Sequence, residues 1–197
     1  EIPEGNKTSK GRAIQNLINI ENDDMVKAFL VTQDLKDEDY VNNNYVVMVT
    51  KQGQTKKTSL EQYSRPRTNG INAITIKEGD ELLEAKLTDG QSQIMIALKS
   101  GKSIRFDESK TRPMGRNASG VRGITLRDDK DEVVGMVSIP DDDTDILVVS
   151  ENGYGKRSSY LDYRVTNRGG KGIIGIINSP RNGNISSSLV VSETDEI

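Results

Sequence analysis

The chain has 197 residues, 33% of them hydrophobic and 29% charged, with a net charge of −3. It contains no Cys and no His, which excludes disulfides, thiolate chemistry, zinc sites of the common type and Ser-His-Asp triads. No apolar run approaches the ~20 residues of a membrane helix, and with two Phe and no Trp the core must be built from Val, Ile and Leu, which suit strands.

Residues 11–31, GRAIQNLINIENDDMVKAFLV, read as a short apolar element, an acidic turn and an apolar stretch. A fuller phrase then occurs three times: YVVMVTKQGQTKKT at 45–58, IMIALKSGKSIRF at 94–106 and ILVVSENGYGKRS at 146–158. Each copy is an apolar run, a polar break ending in Gly53, Gly101 or Gly153, and a run carrying Lys or Arg. The break pairs Gln52-Gly53, Ser100-Gly101 and Asn152-Gly153 predict hairpin turns. The runs before them are β-branched and almost continuously apolar, which predicts inner strands buried on both faces. The strands after them, such as 55–60 and 102–106, mix basic with apolar or hydroxyl side chains, which predicts one wet face. Helical turns are expected only near 59–63 and 158–163.

Each repeat continues through an Arg-, Asn- and Gly-rich loop, SRPRTNG at 64–70, MGRNASG at 114–120 and TNRGGKG at 166–172. A short apolar strand follows (INAITI, VRGITL, IIGIIN), then a turn and a last apolar stretch. The turns are acidic in the first two copies. Asp128, Asp129, Asp131 and Glu132, like Asp141-Asp142-Asp143, lack calcium-loop spacing and are expected to be solvated turns. Repeats of this length with strand content indicate a propeller-type array, with about four strands per unit. The expectation is an all-β chain holding a partial set of blades: 1–42 the end of an early blade plus a connection, 43–91, 92–143 and 144–192 one blade each, and 193–197 the start of another. The repeat phase leads us to expect a piece of a longer array.

Charge follows the same phase. Windows 51–70, 99–123 and 151–172 hold 17 basic and 5 acidic residues, +12 net, against −15 for the rest. A cationic edge repeated on an acidic body suits a polyanion running past every unit. The candidate phosphate contacts are Lys56, Lys57, Arg65 and Arg67 in the first repeat. Lys102, Arg105, Arg112, Arg116 and Arg122 follow in the second, and Lys156, Arg157, Arg164, Arg168 and Lys171 in the third. The competing reading is an ordinary solvated face, which recurrence at one phase disfavours. The string from Gly170 to Gly175 fits G-x-G-x-x-G but precedes a predicted strand rather than a helix, so dinucleotide binding is rejected. Tyr63 and Tyr163 recur at matching positions and are expected to pack the blade edge.

Several stretches, TKKTSLEQY, RTNGINAITIKEGDELLEAKLTDG, RPMGRNASGVRGITL and ENGYGKRSSYLDY among them, resemble the C-terminal domain of the bacterial DNA gyrase A protein. The resemblance runs from about residue 11 to the end, with the 30s to low 40s as a variable insertion. It implies a six-bladed β-pinwheel whose adjacent blades exchange strands and whose basic outer rim bends duplex DNA with little regard to sequence. It implies wrapping that lets an ATP-dependent type II topoisomerase introduce negative supercoils. The implied partners are the gyrase A core and the gyrase B protein in an A2B2 assembly, in the bacterial cytoplasm at the nucleoid. ATP and magnesium would act there, with no catalytic site or cofactor in this chain.

The family's box, Gln-Arg-Arg-Gly-Gly-Lys-Gly, belongs to its first blade. The nearest string here, Thr166 followed by Asn167, Arg168, Gly169, Gly170, Lys171 and Gly172, sits in a late repeat. It reads as a later blade's loop. The corresponding C-terminal domain of topoisomerase IV and a protein-binding propeller scaffold remain the alternatives.

Overall fold

The computed structural model describes residues 4–18, 20, 24–67, 69–140 and 144–195. Asp141-Asp142-Asp143, part of the first apolar and acidic segment, and the last two residues lie outside them. Among the described residues the chain is all-β apart from short 3-10 turns and one six-residue helix, α1 (Glu38–Asn43). Among the described residues no helix is long and apolar enough to cross a membrane.

Each repeat opens with a hairpin: β1 (Tyr45–Thr50) with β2 (Gln54–Ser59), β4 (Gln93–Leu98) with β5 (Lys102–Asp107), and β8 (Asp145–Ser150) with β9 (Gly155–Ser159). The predicted glycines close the turns. Gly53, Gly101 and Gly153 have φ of 81°, 89° and 78°, and each N–H donates 3.0 Å to the carbonyl three residues earlier. A side chain at that left-handed φ would be strained, which is why Gly recurs there. The last strand of each repeat returns antiparallel along the first: β3 (Leu82–Thr88), β7 (Val133–Ile139) and β11 (Ile185–Val191).

Between hairpin and last strand, the second and third repeats send a two-residue strand backwards. β6 (Val121–Arg122) pairs with β2, and β10 (Ile173–Ile174) pairs with β5. The sheets therefore run β3-β1-β2-β6, β10-β5-β4-β7 and β11-β8-β9, and two of them mix residues from adjacent repeats. Each joint is sealed by matching backbone bonds. Gly53 O accepts from Gly123 N (2.8 Å), and Gly101 O from Gly175 N (2.9 Å). Lys57 O accepts from Met114 N, and Arg105 O from Thr166 N, both at 2.8 Å.

The central strands are buried on both faces, as their unbroken apolarity predicts. Val47 and Val49 join Ile94, Ile96, Leu98, Phe106 and Met136 between the first two sheets, while Val46 and Met48 face Val41 and Leu60 on the other side. Met95 turns the opposite way, to Val137, Ile146, Val148 and Tyr160 against the third sheet. The strand β7 lies against both β3 and β11, with Met136 N donating to Glu84 Oε2 at 3.0 Å and Gly135 tight against Ser188. These three strands are thus packed edges of their sheets, and the basic loops follow the hairpin at the opposite edge.

Four expectations need correction. Thr55 through Thr58, and Ser103 through Phe106, have no wet face, because sheets pack on both sides and the next repeat's loop lies along the edge. Only β9, with no partner strand beyond it among the described residues, exposes Gly155, Lys156 and Arg157. INAITI at 71–76 forms no strand, since its counterparts β6 and β10 form by pairing with the preceding repeat's hairpin and the described residues before β1 contain none. The helix α1 lies outside the two segments where helical turns are expected; Asp37 caps it, accepting from Asp39 N and Tyr40 N. The acidic turn at 128–132 is not simply solvated. The buried Asp131 carboxylate accepts from Ser100 N, Ser100 Oγ, Arg127 N and Glu132 N, latching the β4–β5 turn.

Candidate nucleic-acid interface

The basic loops lie at the outer sheet edges. In the second and third repeats the loop leaves the short 3-10 turn after the hairpin and makes a parallel bridge to the preceding repeat (Lys57 with Pro113, Arg105 with Val165). It then bulges outward before its last residues pair as β6 or β10. Gly120 and Gly172, with φ of 88° and 69°, let this return run close. A Cβ would meet Thr55 O at 2.5 Å and Ser103 O at 2.6 Å respectively. The loops are tied sideways as well, with Thr75 Oγ1 donating to Asn117 O and Thr125 Oγ1 to Gly169 O, both at 2.7 Å. The result is one continuous rim.

The candidate cations divide by burial. Arg65, Arg67, Arg112, Arg122, Lys156, Arg157, Arg164 and Lys171 are exposed, and Lys102, Arg116 and Arg168 are half-buried. In the box-like loop Asn167 and Gly170 are exposed beside Lys171, while Gly169 and Gly172 are half-buried in the joint. Arg157 is partly committed, its Nε lying 2.5 Å from Asp145 Oδ2.

Lys56, Lys57 and Arg105 are buried, at 0%, 4% and 6% exposure, and leave the set that a phosphate can reach. Each is consumed in a joint between repeats. Lys57 Nζ lies 2.9 Å from Glu108 Oε1, contributed by the second repeat, and 4.1 Å from the centroid of the Tyr45 ring. Thr88 Oγ1 also donates to that carboxylate, at 2.6 Å. Arg105, at the matching register, donates to Tyr160 O of the third repeat and stacks on its ring at 4.7 Å. Lys56 Nζ donates to Ala73 O and Arg116 O, joining the first and second loops. Burial lowers its pKa from 10.5 to about 8, with the Arg116 charge adding to the effect.

The hairpin edge carries a different pattern. Lys51 pairs with Glu81 and Glu132, Lys27 with Glu81, and Lys99 with Glu132, so charges alternate from repeat to repeat. Hydrogen bonds from Lys27 and Lys51 pull the Glu81 carboxyl down to about 2. Lys27, Lys51 and Lys99 on this edge are thus paired, whereas among the described residues the exposed candidate cations other than Arg157 form no ion pair. The exposed cations outside the candidate set include Lys110, inside a basic window, and Arg181, which stacks on Tyr154 at 5.2 Å. Tyr163 is buried and Tyr63 half-buried, each packed in a hydrophobic cluster and not presented as a stacking platform.

The family described as DNA gyrase C-terminal domain, beta-propeller, matches residues 1–33, 44–89, 93–140 and 144–192. The unmatched 34–43 hold α1. The DNA gyrase A protein of Staphylococcus aureus (strain MRSA252) is 43% identical over 198 residues, covering 100% of this chain, which spans 22% of that protein's length. The crystal structure of the C-terminal domain of DNA topoisomerase IV superposes with a TM-score of 0.82 at 27% identity, over 93% of this chain and 56% of that one. The DNA gyrase A C-terminal domain gives a TM-score of 0.81 at 23% identity, over 94% and 60%, a likeness of fold. With strand exchange between successive blades, a repeat-phased basic rim and a family match in every repeat, the chain belongs to the DNA gyrase C-terminal domain, beta-propeller, family.

Proposed function

We propose that this chain binds duplex DNA along its rim and bends it, as a DNA-wrapping element of a gyrase A protein. The observation that carries the reading is the row of exposed cations in the same part of three successive repeats, on the outer loops and the short strand beside them: Arg65 and Arg67, then Arg112 and Arg122, then Arg164 and Lys171. Each cation that meets a phosphate releases condensed counterions, which drives binding without reading bases. A smooth bend of 40–90° over 20–30 bp costs about 1–6 kcal/mol, which phosphate neutralisation on successive loops can offset. The rest of the chain, at −15, repels the duplex from other faces and confines it to the rim.

In the assembled topoisomerase the bent segment would be presented to the gyrase A core in a positive crossing, so that strand passage leaves negative supercoils. DNA cleavage, ATP and magnesium belong to that core and to the gyrase B protein, in the cytoplasm of a bacterium. The 43% identity to a gyrase protein favours gyrase over topoisomerase IV.

The test is fluorescence anisotropy with two unrelated duplexes of about 40 bp across about 50 to 200 mM salt, with end-to-end energy transfer on the same duplexes. Equal affinity for both sequences, a loss of about a thousandfold over that salt range and shortened end-to-end distances are expected. No binding at low salt, or binding indifferent to salt, would overturn the reading. Salt-indifferent capture of a protein instead would support the scaffold alternative.

A further inference from the structure

Arg116 and Arg168 stand at one phase, four residues before Gly120 and Gly172. Both are half-buried and reach back onto the preceding repeat. Arg116 Nη1 donates to Asn72 O at 3.2 Å. Arg168 donates twice, Nε to Lys110 O at 2.9 Å and Nη1 to Arg122 O at 3.0 Å. Both acceptors of Arg168 belong to the second repeat, and the acceptor of Arg116 belongs to the first. The backbone around each arginine is docked on the same side. Arg116 N donates to Gln62 Oε1 (3.1 Å) and its carbonyl accepts from Lys56 Nζ; Gly169 N donates to Gly123 O (2.6 Å).

A planar guanidinium with its donors in a fixed fork resists rotation of the two loops it joins, which a flexible ammonium would not. Two forked bonds from Arg168 fix both ends of the second repeat's loop, one carbonyl before the bulge and one after it. The span between exposed cations on successive loops is set across this joint.

We infer that Arg116 and Arg168 are positioning residues: they set the angle between successive blades, and so the curvature of the rim, rather than serving mainly as phosphate ligands. The inference rests on the DNA-bending reading for its functional consequence, while its structural half stands without DNA.

The chain has no native Cys, so spin labels can be attached at Ser109→Cys and Leu161→Cys, exposed residues of the matching 3-10 turns in the second and third repeats. Pulsed electron resonance would compare the inter-label distance in the parent, Arg168→Lys and Arg168→Gln, without DNA. The duplex assays would follow. Both substitutions are expected to broaden or shift the distance distribution and to reduce the DNA bend, with the log–log salt slope of Arg168→Lys unchanged.

The inference is overturned if Arg168→Lys matches the parent in distance and bend while Arg168→Gln lowers the salt slope by about 0.9, the signature of one lost phosphate contact. Arg164→Gln, on an exposed side chain, is the comparison expected to lower the slope without moving the labels. If Arg168 variants do not fold by circular dichroism, Arg116→Lys, with a single bond to lose, repeats the measurement with labels at Glu61→Cys and Ser109→Cys. If the parent binds no DNA, the bending reading fails while the label distances still decide the clamp.

Discussion

Lys56 is the sharpest place to test whether the basic run of each repeat serves the joint or the surface. It is fully buried, its ammonium held by Ala73 O and Arg116 O, and its pKa falls from 10.5 to about 8. Between those values the unfolded chain binds a proton that the folded chain does not, so stability rises with pH. From pH 8 to 9.5 the linkage integral for this one group is about 1.5 kcal/mol. The window stops there because burial raises the Tyr63 and Tyr163 phenols, whose effect has the opposite sign above about pH 10. Lys56→Met removes the titrating group and leaves two carbonyls unpaired. Urea denaturation of both proteins across that range should show Lys56→Met less stable throughout, with the gap widening by about 1.5 kcal/mol from pH 8 to 9.5. Parallel profiles would show that Lys56 titrates as a surface lysine and would refute its burial in the joint.

The same joints give three further outcomes. Glu108→Gln leaves the Lys57 charge buried without its partner, so the urea midpoint should correspond to a loss of about 3–5 kcal/mol, largely recovered in Lys57→Met with Glu108→Met. Gly120→Ala and Gly172→Ala drive a Cβ into a carbonyl at a positive φ and should cost about 2 kcal/mol or more in thermal unfolding. Gly70→Ala, with φ of 75° but nothing within 4 Å, should cost about 1 kcal/mol. Asp131→Ala strands the Ser100 and Arg127 amides, so amide exchange at Ser100 should quicken and stability should drop by about 1–3 kcal/mol.

Local chemistry made much of this architecture legible. Unbroken, β-branched-rich apolar runs such as IMIAL, bounded by turn residues, indicate central strands, and a Gly in each polar break suits a left-handed turn. What local chemistry cannot show is what the next repeat covers. The lysines of TKKT and the arginine of SIRF read as a wet cationic strand, yet Glu108, Tyr160 and the following loop close over them. Their counterparts Lys156 and Arg157 stay exposed because β9 carries no such cover among the described residues. INAITI failed in the mirror sense, its apolar pattern needing a preceding hairpin to become a strand. The charge of Asp131 suggests a solvated turn, whereas its position opposite the Ser100 turn decides its role. Within the candidate site, the exposed members lie on the loop bulges, on the two-residue strand β6 (Arg122) and on the uncovered strand β9 (Lys156 and Arg157).

The central claim is that the exposed rim cations, as a set, carry the duplex. It is tested most directly by the salt slope of DNA binding in a triple variant, Arg65→Gln, Arg112→Gln and Arg164→Gln, one exposed cation from each loop. The comparison is Lys36→Gln, Lys77→Gln and Lys130→Gln, which makes the same charge change on exposed lysines outside the basic windows. The account predicts that the rim variant's slope becomes shallower by about 2.7, roughly 0.9 per phosphate contact, while the comparison variant stays close to the parent. Equal slopes in the two variants would contradict it.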